Sequence, residues 1–196
     1  MPAAAAEHPF PPGALVLLVG PPASGKSTFA AALVAAGFVD ARDVLVADRY
    51  RAHLTGDPRD LSADRRVWPL LRLALRERLA LGHTTVVDAT NVHAAKRGRH
   101  LRVAQGFGAP VVAVRFDVPI DELLDRNRRR TRVVPERPLR ELAGATEALD
   151  DEALLAEGVD EVVGVAELLD RYPDIRFASA AIRSMPPSTT TDVPVM

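Results

Sequence analysis

The chain has no cysteine among its 196 residues, which excludes disulfides, thiolate metal sites and a cysteine nucleophile. Lysine is nearly absent too, because only Lys26 and Lys96 occur among the 25 lysines and arginines. Neither sign of charge dominates, since the formal net charge is −1. A general electrostatic attraction to nucleic acid or membrane is therefore excluded, and any such attraction must come from a local patch.

Long apolar runs are also missing. No segment approaches the ~18 consecutive apolar residues of a membrane-spanning helix. The first residues, MPAAAAEHPFPPG, lack the basic start and continuous apolar stretch of a signal peptide. We therefore expect a cytoplasmic protein with no membrane partner. Its 47% hydrophobic and 26% charged residues are typical of a globular protein, and its length favours one domain.

Short apolar segments alternate with segments of helical periodicity. Each predicted strand is apolar almost throughout, which indicates a parallel sheet covered by helices on both faces. The predicted fold class is an α/β three-layer sandwich with five parallel strands and ligands at their carboxyl ends. We predict strands over 14–20, 43–48, 83–90, 109–118 and 159–165, and helices over 25–38, 62–82, 93–106, 119–130, 138–157 and 166–171.

The ends of the chain have a different composition. We expect a flexible arm over 1–13, a domain over 14–176 and a disordered tail over 177–196. Within the predicted helix over 62–82, Pro69 should either kink the helix or mark its true start.

The segment GPPASGKST, residues 20–28, carries the pattern G-x-x-x-x-G-K-[ST] between a predicted strand and a predicted helix. Glycines there let backbone N–H groups converge on phosphate oxygens, and the helix directs its positive end at them. Lys26 should reach the β- and γ-phosphates of a nucleoside triphosphate, and Ser27 should bind Mg²⁺. The alternative is a chance glycine-rich turn. The predicted nucleotide-binding residues are Gly20, Ala23, Ser24, Gly25, Lys26, Ser27 and Thr28.

Asp88 ends the apolar segment TVVD, where a second metal-binding residue is expected. Its carboxylate could hold Mg²⁺ directly or through water. A helix cap is the alternative role for Asp88, and Thr90 and Asn91 are also available for capping.

The segment VLVADRYR, residues 44–51, places Asp48 at the predicted carboxyl end of the second strand. A carboxylate there is a candidate general base for the hydroxyl that accepts a phosphoryl group. Arg51 would share a face with Asp48 if a helix starts there. Because guanidinium matches phosphate oxygens bidentately, Arg51 suggests an acceptor with a phosphate of its own. A surface Asp–Arg cap is the alternative, and Arg49 has no assigned role.

The segment DRNRRRTR, residues 125–132, is rich in arginine. On a helix, Arg126 and Arg130 lie one turn apart. This pattern suits a helical lid, over about 126–140, that closes on the triphosphate and stabilises charge on the transferred group. A solvated basic helix face is the alternative.

A nucleotide site alone does not identify a function. The Asn-Lys-x-Asp motif of GTPases is absent from the sequence, and motors and large ATPases are usually longer. The five histidines have no metal-ligand spacing. The sequence therefore favours a kinase.

The segments GPPASGKSTFA, VADRYR, LALGHTTVVDATNVHAAKR and DRNRRRTR together resemble the kinase module of bacterial polynucleotide 5′-kinases of the RNA-repair type. The similarity spans roughly 14–165, and residues 79–97 are its most specific part. It implies ATP- and Mg²⁺-dependent transfer of the γ-phosphate to the 5′-hydroxyl end of RNA or DNA.

The resemblance also implies roles for individual residues. It implies Lys26 and Ser27 on the ATP phosphates and Mg²⁺, and Asp48 as general base. Arg51 would bind the 3′-side phosphate of the acceptor. Arg126 and Arg130 would serve as lid arginines.

Asp88, Asn91 and Arg97 fall in the next motif of that family, and we expect Asn91 and Arg97 on the substrate side. A third lid arginine would fall near Val133, so Arg132 is its nearest substitute. The segment 52–68, where acceptor specificity is expected, has Trp68 as its one large aromatic residue and lacks an obvious base-stacking platform.

Two alternatives to a polynucleotide kinase stay open. One is a phosphotransferase that acts on the hydroxyl of a nucleoside, sugar or antibiotic. The other is a nucleotide-dependent binding or regulatory module that hydrolyses ATP slowly.

Overall fold

The computed structural model describes residues 8–175. Its strands are β1 (Leu15–Val19), β2 (Val44–Val46), β3 (Thr85–Asp88), β4 (Val111–Arg115) and β5 (Glu161–Gly164). They form one sheet in the order β2-β3-β1-β4-β5, and all neighbouring strands run parallel. The carboxyl ends of β1, β2 and β3 therefore lie side by side at one edge of the sheet.

Helices connect successive strands. They are α1 (Lys26–Ala35), α2 (Ala47–Thr55), α3 (Asp64–Ala80), α4 (Ala94–Phe107), α5 (Ile120–Arg128), α6 (Glu136–Glu147), α7 (Asp151–Ala156) and α8 (Val165–Arg171). Short 3₁₀ turns occupy Ala41–Asp43, Leu61–Ala63 and Pro173–Ile175. Among residues 8–175, none of the helices has the length and apolar character needed to cross a membrane.

Two hydrophobic cores lie on opposite faces of the sheet, because successive side chains of a strand point to opposite faces. Val16 and Leu18 of β1 pack into one core with residues of α1 and α8. Leu15 and Leu17 pack into the other core with residues of α3, α4 and α7. Each fully buried Leu or Val contributes about 1.5–3 kcal/mol. The predicted three-layer α/β sandwich with a five-stranded parallel sheet is confirmed.

Most predicted boundaries differ from the structure by a few residues, and three differences change how a segment is interpreted. The second strand ends at Val46, so Asp48 lies in the first turn of α2 rather than in the strand. Pro69 does not start α3, which begins at Asp64 and continues through the proline. Pro69 and Arg65 are both exposed, so water can satisfy the Arg65 carbonyl that loses its N–H partner.

The third difference is in the predicted helix over 138–157, which is two helices, α6 and α7. Asp150 separates them, because its side chain accepts a 2.7 Å hydrogen bond from the Ala153 N–H. Aspartate at this position caps a new helix start.

The N-terminal residues within the described range pack against the domain. Phe10 is 2% exposed and belongs to the core that includes α1. The His8 ring lies 2.7 Å from the Phe38 carbonyl oxygen. Residues 8–13 therefore differ from the predicted flexible arm. The rest of that arm and the predicted tail over 177–196 lie outside the described residues.

Candidate active site

The segment 20–28 connects the carboxyl end of β1 to the start of α1. A Cβ atom on Gly20 would lie 2.9 Å from Phe116 Cβ, so only glycine fits there without displacing that neighbour. The Gly20 N–H donates to the Thr90 carbonyl oxygen at 3.0 Å, which ties the loop to the end of β3. Gly25 has φ 101°, a left-handed conformation that favours glycine, and precedes α1 directly. The loop thus has the strand–turn–helix geometry of a phosphate site.

Lys26 is buried inside this loop. Its Nζ donates hydrogen bonds to the Pro21 carbonyl oxygen at 2.6 Å and to Ser24 Oγ at 3.2 Å. Burial lowers the pKa of Lys26 to about 8, the negative charge of Asp88 opposes that change, and the positive charge of Arg130 adds to it. Lys26 is therefore a buried cation that a phosphate group would stabilise.

Asp88 is buried at the carboxyl end of β3 and lies beside the phosphate loop. Burial raises the pKa of Asp88, whereas a hydrogen bond from Ser27 and the charge of Lys26 oppose this. The hydroxyl of Ser27 and the carboxylate of Asp88 supply oxygen ligands of the kind that Mg²⁺ takes. Among residues 8–175, no group of three or more His, Asp or Glu residues could form an all-protein metal site. The donor set fits Mg²⁺ held by few protein ligands together with substrate phosphates.

Asp48 accepts hydrogen bonds from two arginines of different segments. Arg51 Nη1 donates to Oδ1, and Arg132 Nη1 donates to Oδ2 at 2.6 Å. Arg51 is buried and also donates from Nε to Asp64 Oδ1 at 2.7 Å. Val46 pairs with Asp88 between β2 and β3, and the charge of Asp48 contributes to the raised pKa of Asp88. The two carboxylates thus belong to one site.

The arginines of the segment 126–132 point in different directions. Arg128 and Arg129 pair with Asp125 on the surface, where their side chains are 67% and 65% exposed. Arg126 pairs with Glu122 one helical turn earlier. The Arg132 side chain reaches Asp48, which joins the segment after α5 to α2.

Arg130 also faces the site. Its Nη1 is buried and has no hydrogen-bond partner within residues 8–175. Burial lowers the pKa of Arg130, and the positive charge of Arg132 acts in the same direction. The negative charges of Asp48 and Asp88 oppose this lowering of the Arg130 pKa, so Arg130 lies close enough to interact electrostatically with both carboxylates. An unsatisfied buried guanidinium beside a phosphate loop is suited to bind a phosphate oxygen.

Asn127 fixes the loop 129–135, which carries Arg130 and Arg132. Its Nδ2 donates to the Val134 carbonyl oxygen at 2.8 Å, and its Oδ1 accepts from the Val134 N–H at 3.0 Å. The buried side chain closes the loop with two bonds to one residue. Sequence reasoning missed Asn127 because no local pattern identifies a bond to a backbone seven residues away.

Asn91 and Arg97 were predicted on the substrate side, and the structure gives both side chains internal partners. Asn91 has φ 48° and donates from Nδ2 to the carbonyl oxygens of Leu18 and Val87, at 3.0 and 3.2 Å. Arg97 is 1% exposed, and its Nη1 donates to the carbonyl oxygens of Asn91 and Val92 at 2.8 and 2.6 Å. These bonds hold the loop after Asp88, so we treat both as positioning residues.

Arg49, which had no assigned role, lies in the first turn of α2, next to Asp48. Its positive charge opposes the rise in the pKa of Asp88. The site edge therefore carries Arg49 in addition to Arg51, Arg130 and Arg132.

Residues 15–149 match a protein family described as AAA domain. That range contains the segment 20–28, Asp48, Asp88 and the arginines of the segment 126–132. No curated protein sequence is significantly similar to the chain.

Several solved structures share the fold. A chain of the Pnkp1/Rnl/Hen1 RNA repair complex is 22% identical, with a TM-score of 0.58, over 75% of this chain and 49% of its own. A gluconokinase from Sinorhizobium meliloti is 23% identical, with a TM-score of 0.50, over 86% and 95%. A sugar kinase from a Janibacter species is 17% identical, with a TM-score of 0.55, over 86% and 97%. The chain thus spans about half the length of the repair-complex chain that it matches.

Proposed function

The chain belongs to the AAA domain family and has a P-loop kinase fold, and from this premise we propose that it transfers the γ-phosphate of ATP to the 5′-hydroxyl end of RNA or DNA. One observation supports the choice of a polynucleotide as the acceptor. Asp48 lies between the guanidiniums of Arg51 and Arg132, in a site that already has Lys26 and Arg130 for the phosphates of ATP. The additional cations favour an acceptor that has a phosphate of its own.

The donor half of the reaction uses the phosphate loop and Arg130. Backbone N–H groups of the segment 20–25 and Nζ of Lys26 bind the β- and γ-phosphates. Arg130 donates to the γ-phosphate, where charge redistributes as the group is transferred. Ser27 and Asp88 would hold Mg²⁺, which when bound neutralises charge on the phosphate oxygens.

The acceptor half centres on Asp48. Its carboxylate takes the proton of the 5′-hydroxyl while that oxygen bonds to the γ-phosphorus, and the bond from that phosphorus to the β–γ bridging oxygen breaks. The products are ADP and a 5′-phosphate end. A carboxylate oxygen has two lone pairs, so Asp48 can accept from the hydroxyl while Arg51 and Arg132 stay bound. Those two arginines hold Asp48 in one orientation for the transfer.

Arg51 is assigned to the phosphate on the 3′ side of the acceptor nucleotide. The bonds described for it use Nε and Nη1, and Nη2 is assigned to that phosphate. Its position is fixed by Asp64 and Asp48, so little side-chain entropy is lost on binding. A buried, preorganised guanidinium of this kind is a specific phosphate contact rather than a general surface charge.

A kinase for a small-molecule hydroxyl is the second candidate. The gluconokinase and the sugar kinase match this chain over nearly their whole lengths, at 95% and 97%. The fold therefore suits a sugar or sugar-acid acceptor equally well. The arginines around Asp48 favour the polynucleotide acceptor over an uncharged sugar.

Transfer of label from γ-labelled ATP to a panel of acceptors tests the proposal. The panel contains a 5′-hydroxyl oligoribonucleotide, the matching oligodeoxyribonucleotide, a nucleoside 3′-monophosphate, gluconate and glucose. We expect label in the oligonucleotides and the nucleoside 3′-monophosphate. Label in gluconate or glucose alone would reject the polynucleotide acceptor and support the second candidate.

A further inference from the structure

A groove runs along the surface between α3 and α4, away from the phosphate loop. It consists of two adjoining hollows of about 450 and 310 Å³, and both are lined by Arg72 and Arg99. The larger hollow also has Arg76, Arg102 and Phe107 in its wall. The smaller one has Arg65, Trp68 and Asp64. We call this surface, lined by residues of 64–76 and 99–107, the arginine groove.

Most exposed arginines outside the groove, within residues 8–175, pair with a carboxylate, and Arg66 is an exception. Arg42 pairs with Asp40 and Arg171 pairs with Glu167, as is usual on this surface. No salt bridge joins the five groove arginines to a carboxylate in the described part of the chain. The one carboxylate in the groove, Asp64, accepts instead from Arg51.

Electrostatic repulsion acts within this cluster. Burial lowers the pKa of Arg72, and the charges of Arg99 and Arg102 lower it further. The charges of Arg72 and Arg99 also contribute to the low pKa of the buried His100. These positive charges repel one another because no carboxylate of the described residues neutralises them. An anion bound between them would remove that repulsion and would therefore be stabilised.

Aromatic rings lie among these cations. The guanidinium carbon of Arg76 is 5.6 Å from the centroid of the Phe107 ring, and Phe107 is 39% exposed. Trp68 is half-buried at the other end of the groove, and its ring centroid lies 6.1 Å from that of His100. Proteins bind single-stranded nucleic acid with arginines placed along its phosphate backbone and with aromatic side chains on which its bases stack.

The groove begins at the acceptor side of the site. Asp64 is both the first residue of α3 and the partner of Arg51, which in turn holds Asp48. From Arg65 to Arg76 the helix rises about 16 Å, at ~1.5 Å per residue. The groove is thus long enough for several consecutive phosphates, starting next to the position assigned to the acceptor nucleotide.

We propose that the arginine groove binds the phosphodiester backbone of the acceptor strand on the 3′ side of the nucleotide that receives the phosphate. This inference rests on the proposed function for the identity of the strand, and it adds the surface that selects a strand over a single nucleotide. An anionic membrane would also attract arginines, but the concave groove and its connection to Asp48 through Asp64 and Arg51 favour a strand.

Paired substitutions test the groove. In the variant Arg72→Gln/Arg102→Gln two groove charges are removed, and in the control Arg42→Gln/Arg171→Gln two surface charges are removed elsewhere. For each protein, fluorescence anisotropy gives the Kd for a labelled oligonucleotide of about 12 nucleotides, within the ~4–16-nucleotide size of single-strand sites. The same proteins are assayed for KM with that oligonucleotide and with a dinucleotide, and by co-sedimentation with phosphatidylserine vesicles.

We expect the groove variant to bind the oligonucleotide roughly tenfold more weakly than the control and to lose the advantage of the long acceptor over the dinucleotide in KM. The slope of log Kd against log salt should fall by about 1 for each arginine removed. Equal Kd values and salt slopes in the groove and control variants would overturn the inference even if 5′-phosphorylation is observed. The inference would also be overturned if the groove variant lost binding to the vesicles but bound the oligonucleotide as tightly as the control.

The groove and the proposed reaction can fail separately. Groove-dependent binding of the oligonucleotide without any 5′-phosphorylation would support the groove and reject the proposed reaction. No oligonucleotide binding by the wild-type protein would overturn the groove, whatever small acceptor is phosphorylated.

Discussion

The guanidinium of Arg132 donates a 2.6 Å hydrogen bond to Oδ2 of Asp48 across a sequence separation of 84 residues. This bond joins the loop after α5 to the first turn of α2, so the segment expected to contact ATP also contacts the candidate base. In a phosphoryl-transfer site the donor and acceptor must be aligned before reaction. In the proposed reaction, the Arg132–Asp48 pair would align the donor and acceptor halves of this site.

Replacing Arg130 should impair the chemical step. Its buried Nη1 lacks a partner and senses both Asp48 and Asp88. Loss of a preorganised donor to a reacting phosphate should lower kcat by about 10²–10³-fold in Arg130→Ala. The matched control is Arg129→Ala, which removes a neighbouring arginine that pairs with Asp125 on the surface. Measured by steady-state kinetics, the kcat of the control should stay within about twofold of wild type. Equal losses of kcat in both variants would exclude a specific role for Arg130.

Asp48→Asn should stop transfer while ATP binding is retained. The general base contributes about 10²–10⁴-fold to such reactions and makes no contact with the donor in the proposed mechanism. Single-turnover rates and the Kd for ATP, measured by calorimetry, separate the two effects. Asp57→Asn, at an exposed carboxylate that binds Arg59, is the control. Turnover close to wild type in Asp48→Asn would remove Asp48 as general base.

Asn127 should act through the loop that it closes. Asn127→Ala removes both bonds to Val134 and should lower the free energy of unfolding by about 1–3 kcal/mol. Because Arg130 and Arg132 lose their fixed positions, kcat should also fall by about 10–100-fold. Asn127→Asp keeps the acceptor for the Val134 N–H but lacks the donor, so its kcat should be intermediate. A loss of stability in both variants with wild-type kcat would show that Asn127 is purely structural.

Stability should fall as the pH drops from about 6.5 to about 4. Burial, with the charges of Arg72 and Arg99, lowers the pKa of His100 to about 4, against about 6.5 in the unfolded chain. Between these values the unfolded state binds more protons, so the contribution of His100 is fully present above pH ~6.5 and is lost as the pH falls. The linkage amounts to about 3 kcal/mol at most.

Urea unfolding across that pH range measures this linkage. His100→Gln should have a flatter pH dependence, whereas His53→Gln, at an exposed position in α2, should follow the wild-type curve. Parallel curves for wild type and His100→Gln would contradict a buried neutral His100.

The sheet and the phosphate loop could be predicted from the sequence because each has a strong local signature. Five short apolar segments predicted five parallel strands, and GPPASGKST predicted the turn between β1 and α1. Boundaries were less predictable where a side chain decides them, as Asp150 does between α6 and α7. The segment VLVAD reads as one strand, but the chain turns into α2 at Ala47, two residues earlier than predicted.

The long-range contacts of the site were beyond the reach of sequence reasoning. The arginine run predicted a lid, and the family resemblance suggested Arg132 as a substitute near Val133, but neither predicted its bond to Asp48, which depends on a fold that brings the loop 129–135 to α2. Asn91 and Arg97 were assigned to the substrate side from a motif, yet their donors point to backbone oxygens and to Glu157. The arginine groove likewise exists only because α3 and α4 pack side by side.

One measurement tests the central claim most directly. Two oligonucleotides of identical sequence, one with a 5′-hydroxyl end and one with a 5′-phosphate end, are incubated with γ-labelled ATP and the protein. We predict that only the 5′-hydroxyl strand becomes labelled, that a phosphatase releases the label from its 5′ terminus, and that Asp48→Asn does not label it. Failure of the wild-type protein to label the 5′-hydroxyl strand would contradict the account, and so would equal labelling of both strands.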